Sequence, residues 1–317
     1  MAKRGKGPFH TNRLRKEKRP VRTVEYLLES GSLADMRAAK IRTDTLLKYH
    51  WDYYSEVALQ RSQIQGDLSK ALVQVCISDF KFQKWQRAVK YKYGLHPFST
   101  AGSLVYVGGR FNTGIDVNSE IPSFSALYLA VDKDTALQET LGQEDSSESG
   151  LSSRELALTN SQSETIVSVS GELEKVFDLR TEESLEGFVE LIKDFTIGAQ
   201  LRAAAKELKI DQPDVVKKPK QLLDILLEKD WRKHPSMFDI PANSQIFGHL
   251  VMQSGIEGIL YPSKLTGKDC LAIFPINFAH SSSYLQLDDE APHPKVPKRI
   301  DSETWRLSDL SPNELVK

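Results

Sequence analysis

The sequence predicts a mixed fold of the α+β class, and three observations carry that reading. Residues 24–65 space their apolar side chains at helical intervals. Beyond Phe80 the chain breaks into short apolar runs separated by Gly, Pro, Asn and Asp, the texture of strands joined by turns. A second helix-patterned stretch, Leu185–Leu227, then falls between strand-like segments. The 317 residues suit about two domains or one large domain with insertions. A 40% hydrophobic and 27% charged composition with a mean hydropathy of -0.39 excludes a collagenous or wholly disordered chain.

In chain order, residues 1–22 hold nine basic side chains against Glu17 alone, so a net charge of -1 hides an arm of +8 on a body of -9. The ordinary reading of this arm is a solvated, disordered terminus; its chemistry also suits an acidic partner or nucleic acid. Residues 23–80 form a helical N-terminal region. Within it Leu27, Leu28, Leu33, Met36, Ile41, Leu46 and Leu47 predict two or three helices over Val24–Gln65, and the Tyr49, Trp51, Tyr53, Tyr54 cluster predicts packing between them.

Strands are expected at Leu104–Val107, Ala126–Val131, Thr165–Val169, Lys175–Leu179, Gly258–Tyr261 and Leu271–Phe274. Thr135 and Gln138 resemble a capping box opening a helix through about Leu141. Residues 143–163 are rich in Ser, Glu, Gln and Asn and predict a polar surface excursion. The helical insertion of 185–235 is split by Pro213 and Pro219, and Ile246–Ser254 predicts a helix stopped by Gly255. Residues 291–317, with Pro292, Pro294 and Pro297, predict an extended tail.

Several chemistries are excluded by missing spacings. The sequence has no G-x-G-x-x-G after a strand, no P-loop, no HExxH and no G-x-S-x-G. Seven scattered histidines argue against a metal site, and two distant cysteines argue against a disulfide framework or a CxxC zinc site. The longest stretch without Asp, Glu, Lys or Arg, Cys270–Leu287, is too polar for a membrane span, and Met1–Pro20 lacks an apolar leader core. The expected location is the cytoplasm, with no membrane partner.

What remains is a set of polar residues at strand ends and turns. Gly108-Gly109-Arg110-Phe111-Asn112 presents a guanidinium after two glycines, and Tyr128 places a phenol inside an apolar strand. Glu139 sits on the following helix, and Ser263 follows Tyr261-Pro262 at a strand end. Taken alone, each has an ordinary structural reading that outweighs a catalytic one: a surface ion pair, a core phenol, a solvated carboxylate, a turn cap.

Taken together and in this order, these segments resemble the RES domain family over roughly Phe82–Leu287. The pieces are Gly108–Asn112, the Tyr-Leu-Ala strand followed by Thr135-Ala136-Leu137-Gln138-Glu139, and Gly258–Ser263, with a looser match at Trp85-Gln86-Arg87. Phe111 stands where tryptophan is common. The resemblance implies a catalytic domain over residues 81–290 with an ADP-ribosyltransferase-like core of two packed β-sheets and flanking helices. It implies NAD+ as substrate, inorganic phosphate as co-substrate, and an antitoxin protein as partner.

Residue by residue, the resemblance implies catalytic roles for Arg110, Glu139 and Ser263 and cofactor-binding roles for Arg87, Arg110, Tyr128 and Ser263. The long helical N-terminus, the polar excursion and the helical insertion depart from the compact family pattern. Nicotinamide leaves NAD+ as a neutral molecule, so a single carboxylate suffices where an ordinary glycoside needs two. Two alternatives stay open: an ADP-ribosyltransferase acting on a protein or nucleic acid, and a non-catalytic module binding a partner or nucleic acid.

Overall fold

The computed structural model describes residues 33–118, 120–141 and 164–316. The basic arm, the expected helical stretch before Leu33 and the polar excursion lie outside the described residues. Two units divide the chain, Met1–Asp44 and Thr45–Lys317. In the first, residues 33–44 are helical, and Thr43 Oγ1 donates to the Ala39 carbonyl at 3.0 Å.

Where two or three helices are expected, Leu33–Gln63 is one continuous helix, α1, followed by α2 (Gln65–Gln74). From Thr45 onward, α1 packs its aromatics not on a neighbouring N-terminal helix, as expected, but on the helical insertion. Tyr49, with Leu46, Tyr53 and Val57, packs on Ile197, Leu201, Ala205 and Leu208 of the helical insertion.

The central sheet contains β1 (Ile77–Lys90), β4 (Leu127–Ala130), β5 (Glu164–Asp178), β6 (Gly258–Pro262), β7 (Asp269–Ile273), β8 (Tyr284–Leu287) and β9 (Arg299–Ile300). β2 (Gly108–Gly109) and β3 (Asn112–Thr113) form a separate hairpin. The order β1-β4-β7-β6-β5-β8-β9 is joined by a further β1–β5 pairing, so the sheet closes on itself instead of forming two separate sheets. The length of β1 and β5 explains this. They pair from Ile77↔Val176 to Lys90↔Glu164, with a register shift between Phe82 and Trp85, while β5 also serves β6 and β8 along its other edge.

The expected strands at Thr165–Val169 and Lys175–Leu179 are thus one strand. At Gly171 the neighbouring β8 comes so close that a Cβ would stand 2.5 Å from the Tyr284 carbonyl.

Alternation along the strands divides the core in two. Trp85, Leu127, Leu129, Val169, Leu173, Leu260, Leu271 and Leu285 meet on the inner face. Ala126, Tyr128, Ala130, Phe177, Ile259, Tyr261, Cys270 and Ala272 face outward under helices. The covering helices are α2, α4 (Glu186–Ile192), α6 (Pro219–Leu226) and α8 (Asn243–Gln253), with α3 (Lys133–Leu141) along the β1 and β4 side. The insertion also carries α5 (Ala199–Leu208) and α7 (Lys233–Phe238), and α9 (Pro312–Val316) ends the described chain. Pro219 opens α6 at a position where its missing N–H costs nothing. No described helix is long and apolar enough to cross a membrane.

Three local expectations differ from the structure. Leu104–Val107 is not a strand: Ala101–Leu104 is a 3-10 turn and Tyr106 takes a φ of 57°, which breaks extended pairing. Asp132, not Thr135, caps α3, its carboxylate accepting the Thr135 N–H at 2.9 Å. The C-terminal segment is packed rather than extended, because Val296, Ile300 and Ser308 are buried and the Leu307, Ser308 and Leu310 carbonyls accept from His96, Thr100 and Ser99.

Burial lowers the pKa of His96, His234 and His249, and holds His50 at about 4 with help from His234 and Lys233. The unfolded chain binds protons near pH 6.5 that the folded chain refuses. Stability is therefore full above that pH and falls as the pH drops toward 4. Urea unfolding is expected to show a lower midpoint at pH 5 than at pH 7.5; an equal midpoint would contradict this account.

Candidate active site

The site grows from the β2–β3 hairpin. Gly108 pairs with Thr113 and Gly109 with Asn112, which leaves Arg110 and Phe111 as a two-residue loop. Phe111 is fully buried against the Tyr261 ring, 4.9 Å between centroids, and its burial contributes ~2–3 kcal/mol. Asn112 uses every hydrogen-bonding position it has. Its Nδ2 donates to the Ser103 and Phe124 carbonyls at 2.8 and 2.9 Å, and its Oδ1 accepts from the Gly109 N–H and the Tyr128 hydroxyl at 3.1 and 2.8 Å. Only glycine fits at 109, where a Cβ would overlap the Tyr128 hydroxyl and lie 2.6 Å from Asn112 Oδ1.

Gln245, fully buried on α8, fixes the hairpin from behind. Its Nε2 donates to the carbonyls of Val107, Gly109 and Asn112 at 2.8, 3.0 and 2.9 Å, and its Oε1 accepts the Ala242 N–H at 3.0 Å. Arg110 is thereby held over the insertion. Its Nη1 donates to the Glu228 carbonyl at 2.7 Å and to Leu226 at 3.5 Å, at the electronegative C-terminal end of α6, with the guanidinium 6.0 Å from the Trp231 ring.

The carboxylate comes from α3. Thr135 and Glu139 lie one turn apart on the same face. Thr135 Oγ1 meets Thr266 Oγ1 at 3.1 Å, and Ser263 Oγ donates to Glu139 Oε1 at 2.5 Å. Ser263 Oγ also accepts the Leu265 and Thr266 N–H groups at 3.1 and 3.2 Å, so the turn after β6 fixes its rotamer. An Asp132–Lys268 ion pair at 2.6 Å ties the start of α3 to the same turn.

Tyr128 joins the two halves. Burial raises its pKa, which keeps the phenol protonated; its hydroxyl donates to Asn112 and accepts the Phe111 N–H at 3.0 Å. With the hydroxyl so engaged, the ring is what Tyr128 offers a ligand. The charges of both Arg110 and Glu139 reach Tyr128, Tyr261 and Cys270. Arg232 adds a second cation, 4.5 Å from the Trp231 ring, its pKa lowered by desolvation and by Arg110. One oriented carboxylate, two guanidiniums and an aromatic wall can hold an anionic ligand beside a developing positive charge.

A family model described as RES domain matches residues 84–293, about two thirds of the chain. The chain belongs to the RES domain family. A search of solved structures finds similarity to a toxin–antitoxin complex of M. tuberculosis, MbcT-MbcA. The matched chain is 15% identical at a TM-score of 0.40, covering 77% of this chain and 97% of that one. No curated protein matches the chain significantly.

Of the residues expected at the RES site, Arg110, Tyr128, Glu139 and Ser263 are brought together, and Arg87 is not. Alternation along β1 turns Arg87 to the inner face with Trp85, opposite Val167 and away from Tyr128. There it is buried, its Nη2 donates to the Ser99 carbonyl at 2.6 Å, and burial lowers its pKa to about 9. The looser motif match at this segment gave no sign of which face the side chain takes.

Gln245 and Arg232 escaped the sequence reading. The only signal for Gln245 is its place three residues after Ala242 at a helix start. Arg232 had none. Among the described residues no group of three His, Cys, Asp or Glu side chains is placed to hold a metal. Replacing Tyr128 by phenylalanine leaves Asn112 Oδ1 and the Phe111 N–H each short of a partner. It is expected to lower stability by ~1–3 kcal/mol while retaining the ring's contribution to ligand binding. Thermal unfolding and an NAD+ titration check both halves.

Proposed function

We propose that this RES protein is an NAD+-consuming enzyme, a toxin or defence effector, that cleaves the nicotinamide–ribose bond and passes the ADP-ribosyl group to inorganic phosphate. The observation that supports it most is the hydrogen bond from Ser263 to Glu139. It joins two residues far apart in sequence beside Tyr128 and Arg110, within the matched family segment. The ADP-ribosyltransferase-like arrangement of the core and the catalytic domain of residues 81–290 belong to the same reading. So do the antitoxin partner, the basic arm's acidic partner or nucleic acid, and the cytoplasmic location.

In this mechanism Arg110 and Arg232 bind the pyrophosphate or the incoming phosphate through charge-assisted hydrogen bonds. The ring of Tyr128 fences the nicotinamide. As the C1′–N bond breaks, its electron pair passes to the pyridinium nitrogen and nicotinamide leaves neutral, needing no general acid. Positive charge develops on the ribose. Glu139, oriented by Ser263 and free to use its other oxygen, stabilises that charge and holds the ribose hydroxyls. A phosphate oxygen then bonds to C1′ and yields ADP-ribose phosphate.

The test is mass spectrometry of the products formed from NAD+ with and without inorganic phosphate. Phosphate-dependent release of nicotinamide with ADP-ribose phosphate is expected. ADP-ribose formed equally in both tubes would replace phosphorolysis by hydrolysis, and label retained on a macromolecule would replace it by ADP-ribosyl transfer.

A further inference from the structure

Behind the Arg110 hairpin lies a cavity of about 230 Å³, bounded by the end of α1, by α8 and by the chain around Ile121 and Pro122. Its lining includes Tyr54, Arg61, Gln65, Thr113, His249 and Gln253, with Gln245 at the wall, and holds no carboxylate. It contains none of Arg110, Tyr128, Glu139 or Ser263, and is a different site from theirs.

Arg61 gives the cavity its chemistry. The guanidinium belongs to a half-buried side chain, burial lowers its pKa, and it lies 6.0 Å from the Tyr54 ring. Among the described residues, the titratable groups that bear on it are Tyr54 and Tyr53, whose own pKa values burial raises, so neither supplies a negative charge at neutral pH. A half-buried cation lining a cavity without a carboxylate offers an incoming anion a charge-assisted partner. Gln65 Nε2 donates to Gln253 Oε1 at 2.9 Å, leaving the Gln253 amide nitrogen as a further donor at the wall. The volume falls below the ~300–1,000 Å³ of sites for drug-sized ligands, so a dinucleotide does not fit but a single ring with one acidic group does.

The wall also reaches the candidate active site. Thr113 pairs with Gly108 in the hairpin, and Gln245 holds the Val107, Gly109 and Asn112 carbonyls that set the direction of Arg110. We propose that this cavity is a second ligand site, taking a small one-ring organic anion, and that its occupancy steadies the Arg110 hairpin through Gln245 and Thr113. A carboxylate and a phosphate ester share the chemistry that Arg61 recognises.

The experiment titrates the full chain bearing Glu139→Gln, so that turnover plays no part, with benzoate and separately with D-ribose 5-phosphate. Binding is followed by calorimetry, and hydrogen exchange is followed at the hairpin amides of Gly109 and Phe111. Saturable binding of one probe is expected, with slower hairpin exchange and roughly tenfold or greater weakening by Arg61→Gln. Gln253→Glu, at an exposed position on the cavity wall, adds a carboxylate to the lining that competes with the probe and is expected to abolish binding without unfolding the chain. The probe that binds tells carboxylate from phosphate ester. No saturation by either at millimolar concentration, binding indifferent to both cavity variants, or binding without a change in hairpin exchange would overturn the proposal.

Discussion

Replacing Glu139 by glutamine is expected to lower the turnover of NAD+ by ~10³-fold while leaving the unfolding temperature and the affinity for NAD+ close to those of the native chain. The amide keeps the shape of the carboxylate and still accepts the Ser263 hydroxyl, so the α3 to β6–β7 contact survives with its Thr135–Thr266 and Asp132–Lys268 supports. What it loses is the negative charge that the proposed mechanism sets beside the ribose, and that charge acts only when positive charge develops. The effect therefore belongs in kcat rather than in binding. A parallel loss of affinity and stability would show instead that Glu139 is a structural partner of Ser263. Unchanged turnover would remove it from the mechanism.

Replacing Gln245 by leucine is expected to have the largest effect on stability outside the apolar core. The two N–H donors of one buried amide nitrogen are shared among three carbonyls, and leucine leaves those of Val107, Gly109 and Asn112 facing apolar atoms. A loss of ~2–4 kcal/mol follows from the desolvation of stranded acceptors. Gln245→Glu should cost more, since a carboxylate oxygen would then face those three oxygens. Because Gln245 positions Arg110 without touching the ligand, the surviving folded protein should bind NAD+ more weakly, with a raised KM. Urea unfolding monitored beside steady-state kinetics checks both parts, and a leucine variant of native stability would contradict the assigned role.

Much of this architecture is legible in the sequence, for identifiable reasons. β4, β6 and β7 are short apolar runs ended by Asp, Pro or Gly, and the helices over 186–226 and 243–253 carry periodic apolar faces with their prolines at permitted positions. Ring closure of the sheet is not legible, because it depends on β1 and β5 each serving several neighbours. Leu104–Val107 has strand composition but is governed by Tyr106 and by the Asn112 bond to the Ser103 carbonyl. The packed C-terminal segment is equally hidden, since its bonds to His96, Ser99 and Thr100 span some two hundred residues.

At the candidate site, residues inside ordered motifs could be named, while those acting across the fold could not. Asn112 and Tyr128 stand in recognisable segments, yet their mutual hydrogen bond is a property of the hairpin folding back on β4. Arg87 shows the opposite case. A motif match supplies a residue type, but the face it takes depends on strand register, and a one-residue difference in phase places a guanidinium inside the closed sheet instead of at the ligand.

The most direct measurement is the crystal structure of the Glu139→Gln chain soaked with NAD+, in which substrate binds without being consumed. The nicotinamide ribose is expected against residue 139 and Ser263, the nicotinamide ring against Tyr128, and the pyrophosphate at Arg110 and Arg232. NAD+ bound on the Arg87 face of the sheet, or in the Arg61 cavity, with residue 139 untouched, would contradict the account.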